Sequence, residues 1–249
     1  MKRVLLTRDA EDNAAWAVRL RALGFEPVEL ECISCHELAE NAGQLAAGLA
    51  RAGWLALASR RAVRAVASLH PPALPAMLRV ACVGPETARV ARALFGRADL
   101  VAGGGTGGAL GRELAERAGR EGVLVAGAAD GRADVERELE ARGVPVERVA
   151  VYRTVPASAR GPRLRPRVDV ALLASPSAVA GLGELAVLPA RAAVVTLGPS
   201  TTEAARAAGL RVSAEAPTRD LEGLIAAIES LERTARTDDR QCFEPPIER

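Results

Sequence analysis

Lysine is almost missing from this chain of 249 residues: Lys2 stands alone among 33 basic side chains, and the rest are arginine. A GC-rich genome produces such a bias without functional meaning, although guanidinium forks also suit carboxylate ligands. Aromatic residues make up 2%, with a single tyrosine. Histidine occurs only at positions 36 and 70, and four cysteines (32, 35, 82 and 242) are too few for a disulfide framework in a chain this long. No apolar run reaches membrane-spanning length, and the chain opens directly on strand-like Val4-Leu-Leu, which leaves no room for a signal peptide. Neither a membrane segment nor export is expected, and the location predicted is the cytoplasm. The net charge of +2 comes without a block of like charge, so no nucleic-acid or membrane partner is expected.

What the chain does have is an internal duplication. Ser59-Arg-Arg-Ala-Val followed by Val83-Gly-Pro-Glu-Thr is echoed by Ser175-Pro-Ser-Ala-Val followed by Leu197-Gly-Pro-Ser-Thr. The serines lie 116 residues apart and the glycines, Gly84 and Gly198, 114. Val4-Leu-Leu and Val123-Leu-Val are separated by 119, as are Gly24 and Gly143. With 49% hydrophobic residues the chain can bury two moderate cores, and two similar units can face each other across a ligand cleft.

Short β-rich apolar runs alternate with Ala/Arg/Leu/Glu-rich helical segments, the pattern of parallel sheets covered by helices. Strands are predicted near 3–7, 25–33, 54–58, 79–83, 98–101, 122–126, 145–154, 168–173, 192–196 and 210–213. Pro85 and Pro199 each fit the first position of a helix, where a missing N–H costs nothing. The runs 25–33 and 145–154 differ from the others in length, and the first is too polar on one side for a buried parallel strand. They are predicted to pair as a two-stranded linker. Past residue 233 periodicity is lost, which predicts a disordered tail over 233–249.

Ligands of open α/β sheets bind beyond the carboxyl ends of strands, beside the free N–H groups of helix N-termini. The residues expected there are Thr7, Arg8, Ser59, Gly84, Thr87, Gly127, Ser175, Gly198, Ser200 and Thr201. This set of hydroxyls, glycines and one arginine suits an anionic ligand. It contains no nucleophile with a neighbouring base, no paired carboxylates and no His/Cys cluster, so neither triad nor metal-assisted hydrolysis is expected. Ser59 and Ser175 fit plain N-caps equally well. Tyr152, on a period of two, shares a face with Ala150 and Thr154, opposite Val149 and Val151.

These residues, in order, carry a resemblance. Val4-Leu-Leu-Thr-Arg8, Leu57-Ala-Ser59, Val83-Gly-Pro-Glu-Thr-Ala88, Gly131-Arg132, Gly143-Val-Pro-Val and Val151-Tyr-Arg-Thr154 make its first part. Ala174-Ser-Pro-Ser-Ala-Val179, Leu197-Gly-Pro-Ser-Thr201 and Ala216-Pro-Thr218 with Leu221-Glu-Gly-Leu-Ile225 complete it. The whole resembles the uroporphyrinogen-III synthase family over about residues 3–231. Ala58 and Ala174 stand where that family often has threonine, and Asp9 where proline usually follows the Thr-Arg pair. The resemblance implies two α/β domains, 1–30 plus 156–232 and 37–147, joined by linker strands at 31–36 and 148–155. It implies hydroxymethylbilane as substrate, loss of its terminal hydroxyl as water, and cyclisation with ring D inverted through a spiro intermediate. Tyr152 would assist the leaving hydroxyl; Thr87 and Thr201 would line the site, and Arg132 joins the expected contacts. The protein would be a monomer that needs no cofactor or metal, meeting at most the preceding pathway enzyme in passing.

Three other readings stand beside it. Gly103-Gly-Gly-Thr-Gly-Gly108 satisfies a dinucleotide fingerprint, with Asp130 at a fitting distance, but it is not in the first βα turn of its unit and its duplicate lacks glycines. Cys32-Ile-Ser-Cys35-His36 has the form of a c-type haem attachment, which would require export. A non-catalytic two-lobed binder or sensor would employ the same hydroxyls.

Overall fold

The computed structural model describes residues 1–70 and 73–241. In chain order its first elements are β1 (Arg3–Leu6), α1 (Ala10–Ala22), β2 (Glu26–Glu29), β3 (Ile33–Glu37), α2 (Ala42–Arg51), β4 (Trp54–Leu57), α3 (Arg60–Leu69), β5 (Arg79–Cys82), α4 (Pro85–Phe95) and β6 (Leu100–Val101). There follow α5 (Gly107–Ala118), β7 (Val123–Ala128), α6 (Asp134–Glu140), β8 (Val146–Pro156), β9 (Val170–Leu173) and α7 (Pro176–Leu185). The last are β10 (Ala193–Thr196), α8 (Pro199–Ala207), β11 (Val212–Glu215) and α9 (Leu221–Gln241). Two compact units result: Met1–Ser34 with the residues from Val155 on, and Cys35–Thr154. The chain passes between them inside β3 and inside β8, which are neighbours in one sheet.

The first unit has a parallel five-stranded sheet ordered β2-β1-β9-β10-β11. The second repeats that order as β8-β7-β4-β5-β6, again parallel, with β3 added beyond β8. Leu38 donates to the Val151 carbonyl and the Cys35 Sγ lies 3.9 Å from Thr154 Oγ1, so numbering rises on one strand as it falls on the other. The duplication therefore survives as topology, but permuted. The β-α-β portion that opens the first unit (β1, α1, β2) closes the second (β7, α6, β8).

Central strands are apolar throughout because both sheet faces are covered. In β4 every residue is buried, and the side chains alternate between two cores: Leu55 and Leu57 enter one with Val63, Val66 and Leu124, while Trp54 and Ala56 enter another with Leu110, Leu114 and Leu139. The first unit does the same, with Val4 and Leu6 on one side and Leu5 on the other. At the edges, β2 and β11 keep exposed positions.

Three sequence expectations change here. The run 25–33 is not one strand: β2 ends at Glu29 and β3 begins at Ile33, because Cys32 and Ile33 are both buried and two consecutive inward residues break a flat alternation. β8 is more than a linker, since Val146–Tyr152 is in parallel register with β7. The tail also differs. Helix α9 continues to Gln241, nine residues into the segment expected to be disordered; its apolar stripe ends near Leu231, but no glycine or proline follows Gly223 until Pro245, so the backbone keeps helical hydrogen bonding. The rest of that expectation, 242–249, lies outside the described residues.

Candidate functional site

An open sheet of this order reverses its winding between β7 and β4, and the carboxyl ends of the strands flanking such a reversal leave a crevice. In the second unit a cavity of about 230 Å³ lies at that point. Ser59 and Ala62 border it from the β4–α3 junction, Gly127 and Ala128 from the end of β7, Arg132 and Glu136 from the following loop and helix, and Arg148 and Tyr152 from β8.

Ser59 begins α3 with an extended backbone, and its Oγ accepts from Ala62 N–H at 3.0 Å. The same oxygen lies 3.3 Å from the Tyr152 hydroxyl. One atom thus caps α3 and meets the tyrosine hydroxyl. Tyr152 is 9% exposed and sits in the same core as Val149 and Val151, not opposite them as its period-two placement predicts. The reason is a bulge: Gly127 pairs with Ala150 but Ala128 pairs with Tyr152, so one extra residue on β8 turns the tyrosine inward.

Arg148, four residues before Tyr152, is the other organiser. Its guanidinium donates to the Ala128 carbonyl at 2.8 Å, to the Gly131 carbonyl at 3.2 Å and to Glu136 Oε1. A Cβ on Gly131 would come within 2.6 Å of the guanidinium, so glycine is what lets the loop close around it. Glu136 is 7% exposed, and its Oε2 is buried with no hydrogen-bond partner among the described residues. Neither Glu136 nor Arg148 stands out in the sequence, where both read as ordinary solvated charges of an Arg/Glu-rich stretch. The one available signal is the duplication: 119 residues earlier stand Ala17 and Glu29, so the pair has no counterpart in the first unit.

Of the remaining expected residues in this unit, Arg132 lines the cavity but pairs with Asp134 at 2.7 Å. Gly84 and Thr87 sit one strand over, at the β5–α4 junction, outside the cavity lining; Thr87 is buried in the first turn. Gly84 is extended (φ 178°) and faces the glycine loop, where Gly105 takes φ 62°. That loop follows the edge strand β6, and Thr106 caps α5 through Ala109 N–H at 3.2 Å.

In the first unit the corresponding strand ends are β1 and β9. Thr7 donates to the Leu172 carbonyl at 2.6 Å. Arg8 is occupied by the helix that follows it, α1: Nε donates to Asp12 at 2.9 Å and the guanidinium lies 4.8 Å from the Trp16 ring centre. Ser175 caps α7 through Ala178 N–H at 3.1 Å and meets the Ser177 hydroxyl at 3.0 Å. Gly198 precedes Pro199 in extended conformation, Ser200 is exposed, and Thr201 is buried. Beside it runs a hydroxyl chain that sequence reading passed over: Thr202 donates to Glu215 at 2.5 Å, and Thr196 stands 2.6 Å from Thr202.

Among the described residues no group of three or more His, Cys, Asp or Glu is arranged to hold a metal ion, and no helix is long and apolar enough to cross a membrane. Burial pushes the Cys32 thiol up to about 12 and the Cys82 thiol up to about 11, so both stay protonated at neutral pH. The cavity thus offers hydroxyls, helix N-termini, guanidinium groups and one buried carboxylate. Those groups can bind anions, donate a proton from a phenol and accept from a ligand N–H.

Comparison with known proteins bears on the family and the fold. The model of the uroporphyrinogen-III synthase HemD family matches residues 14–226. The porphyrin biosynthesis protein HemD of Ruminiclostridium josui is 28% identical over 160 residues, 61% of this chain; the chain spans 32% of that longer relative. Uroporphyrinogen-III synthetase from Helicobacter pylori superposes with a TM-score of 0.62 at 14% identity, covering 93% of this chain and 100% of that one. A mutant uroporphyrinogen III synthase from the extremely thermophilic bacterium Thermus thermophilus gives 0.53 at 18%, over 94% and 100%. These two share the fold, and the family match covers most of the sequence from α1 to α9: the chain belongs to the uroporphyrinogen-III synthase family.

Proposed function

We propose that this protein converts hydroxymethylbilane, a linear tetrapyrrole, to uroporphyrinogen III by loss of water and ring closure with inversion of ring D. Beside family membership, the observation that carries this reading is the Ser59–Tyr152 contact inside the switch-point cavity. Ser59 Oγ already accepts from Ala62 N–H, so its own hydrogen is available to the tyrosine oxygen. Tyr152 then keeps its O–H for the ligand. A relay from the α3 N-terminus through Ser59 to Tyr152 is polarised toward the departing hydroxyl, which suits a weak acid assisting a leaving group.

Little more acid strength is needed. The pyrrole nitrogen lone pair forms a C=N bond as the C–O bond breaks, and the oxygen leaves as water with a proton from Tyr152. Ring D attacks through its substituted carbon, the spiro intermediate rearranges, and the proton is recovered when ring D loses hydrogen from its unsubstituted carbon. The protein's main task is to hold the two ends of a flexible chain in one geometry. Carboxylates of the substrate would be received by Arg132 and by N–H groups at the starts of α3 and α4. The reaction needs no metal or organic cofactor, and the protein acts as a monomer.

The test is turnover. Hydroxymethylbilane alone closes to the symmetric isomer without inversion. The proposal expects the protein to yield isomer III faster than that spontaneous reaction. Isomer I at the rate seen in buffer would leave a binding protein of the same fold.

A further inference from the structure

We propose that Glu136 is a substrate-contacting group, the anionic acceptor for the pyrrole N–H of the ring that loses its hydroxyl, and that Arg148 is the positioning residue that holds it. The inference rests on the reaction proposed above and adds a group to its site. A carboxylate buried to this degree is costly unless all its acceptor capacity is used, and Glu136 uses only half. Arg148 takes Oε1; Oε2 has no partner among the described residues. The fold itself does not ask for the pair, because the duplicated unit has Ala17 and Glu29 at the same offset, the first buried and apolar, the second exposed. In the second unit Glu136, Arg148 and Tyr152 all line the switch-point cavity.

The chemistry supplies a donor for the spare oxygen. As the C–O bond breaks, positive charge develops on the pyrrole nitrogen while Tyr152 serves the departing oxygen. A carboxylate accepting the N–H hydrogen bond pushes electron density toward the bond that breaks and stabilises the cation that forms, with no proton transferred. Arg148 holds the carboxylate aimed, and its bonds to Ala128 and Gly131 fix the loop that carries α6. Preorganised charge aimed at developing charge is the strongest form of such assistance.

The experiment has two arms on the full chain. In the first, Glu136→Gln, which keeps the shape and an oxygen for Arg148, is assayed with hydroxymethylbilane. A fall in kcat of about thirtyfold or more with KM within about threefold is expected; kcat within twofold of the parent overturns the proposal. In the second, a pyrrole bearing acetate and propionate groups and its N-methyl derivative are titrated into both proteins by NMR. The parent should prefer the N–H form by about tenfold and Glu136→Gln should lose that preference. Equal preference in both proteins, or no binding of either pyrrole, overturns the assignment. This arm reads the contact even where turnover is absent, so failure of the proposed reaction and failure of the contact are separable. Should Glu136→Gln not fold, Arg148→Lys serves in its place, with the same loss of N–H preference expected and its retention counting against the proposal.

Discussion

Replacing Tyr152 by phenylalanine removes one oxygen and leaves the ring in its core. Tyr152 belongs to the same buried cluster as Val149, Val151 and Val63, and phenylalanine keeps the apolar ring that is buried there. Among the described residues the hydrogen bond at risk is the one to Ser59, long at 3.3 Å and between neutral groups, and such a bond contributes about 0.5–1 kcal/mol to stability. For a chain of this size the melting temperature should therefore fall by no more than about 2–4 °C. Ser59 remains a cap, since Ala62 N–H still donates to it. Catalysis loses more. A preorganised donor is worth about 10²–10³ in kcat, but in the proposed reaction the pyrrole already drives departure, so a fall of about tenfold to a hundredfold, or about 1.4–2.7 kcal/mol, is expected. The assay is quantification of isomers I and III after oxidation to porphyrins, alongside a thermal melt. Full turnover to isomer III by Tyr152→Phe would refute the relay and leave positioning alone to carry the reaction.

Ser59→Ala and Ser175→Ala form a matched pair: each loses an N-cap worth about 1 kcal/mol, but only the first also removes the partner of Tyr152, so kcat should fall further in Ser59→Ala at equal loss of urea midpoint. Gly181→Ala should destabilise by about 3 kcal/mol or more in urea titration, because its Cβ would lie 1.8 Å from the Cys32 carbonyl oxygen, whereas exposed Gly183 has nothing within 4 Å and its change to alanine should be neutral or stabilising by up to about 1 kcal/mol. Cys32 and Cys82 should resist alkylation in the native protein at pH 8, with labelling appearing only on unfolding. Between the ordinary thiol value of 9.0 and about 11–12, the folded chain keeps protons that the unfolded chain releases, so urea midpoints should drop as pH rises through that window; midpoints that rose would contradict the burial of these thiols.

How far the sequence could be read depended on whether a residue's meaning was local. Ser59 and Ser175 announce a strand end and a helix start by themselves, and their repetition at a near-constant offset with Gly84 and Gly198 exposes the duplicated sheet. Tyr152 was legible as a singular residue but not in direction, because its orientation is set by a bulge that depends on the register against β7. The run 25–33 failed for a similar reason: its split at Cys32 and Ile33 reflects where the chain leaves one sheet edge for another. Glu136 and Arg148 were illegible because a charge on a helix and a charge on a strand look solvated until tertiary structure buries them together. Arg8 illustrates the converse, a candidate contact whose charge is taken up by Asp12 one helical turn away.

That the reaction takes place in the switch-point cavity of the second unit can be tested on a single nucleus. Because Tyr152 is the sole tyrosine, protein grown with tyrosine carrying ¹³C at the hydroxyl-bearing ring carbon gives one labelled NMR signal. Anaerobic addition of uroporphyrinogen III should shift that signal saturably, and the Glu136→Gln variant should show a different bound position. A signal that stayed in place at product concentrations that inhibit turnover would contradict the account and put the chemistry elsewhere in the molecule.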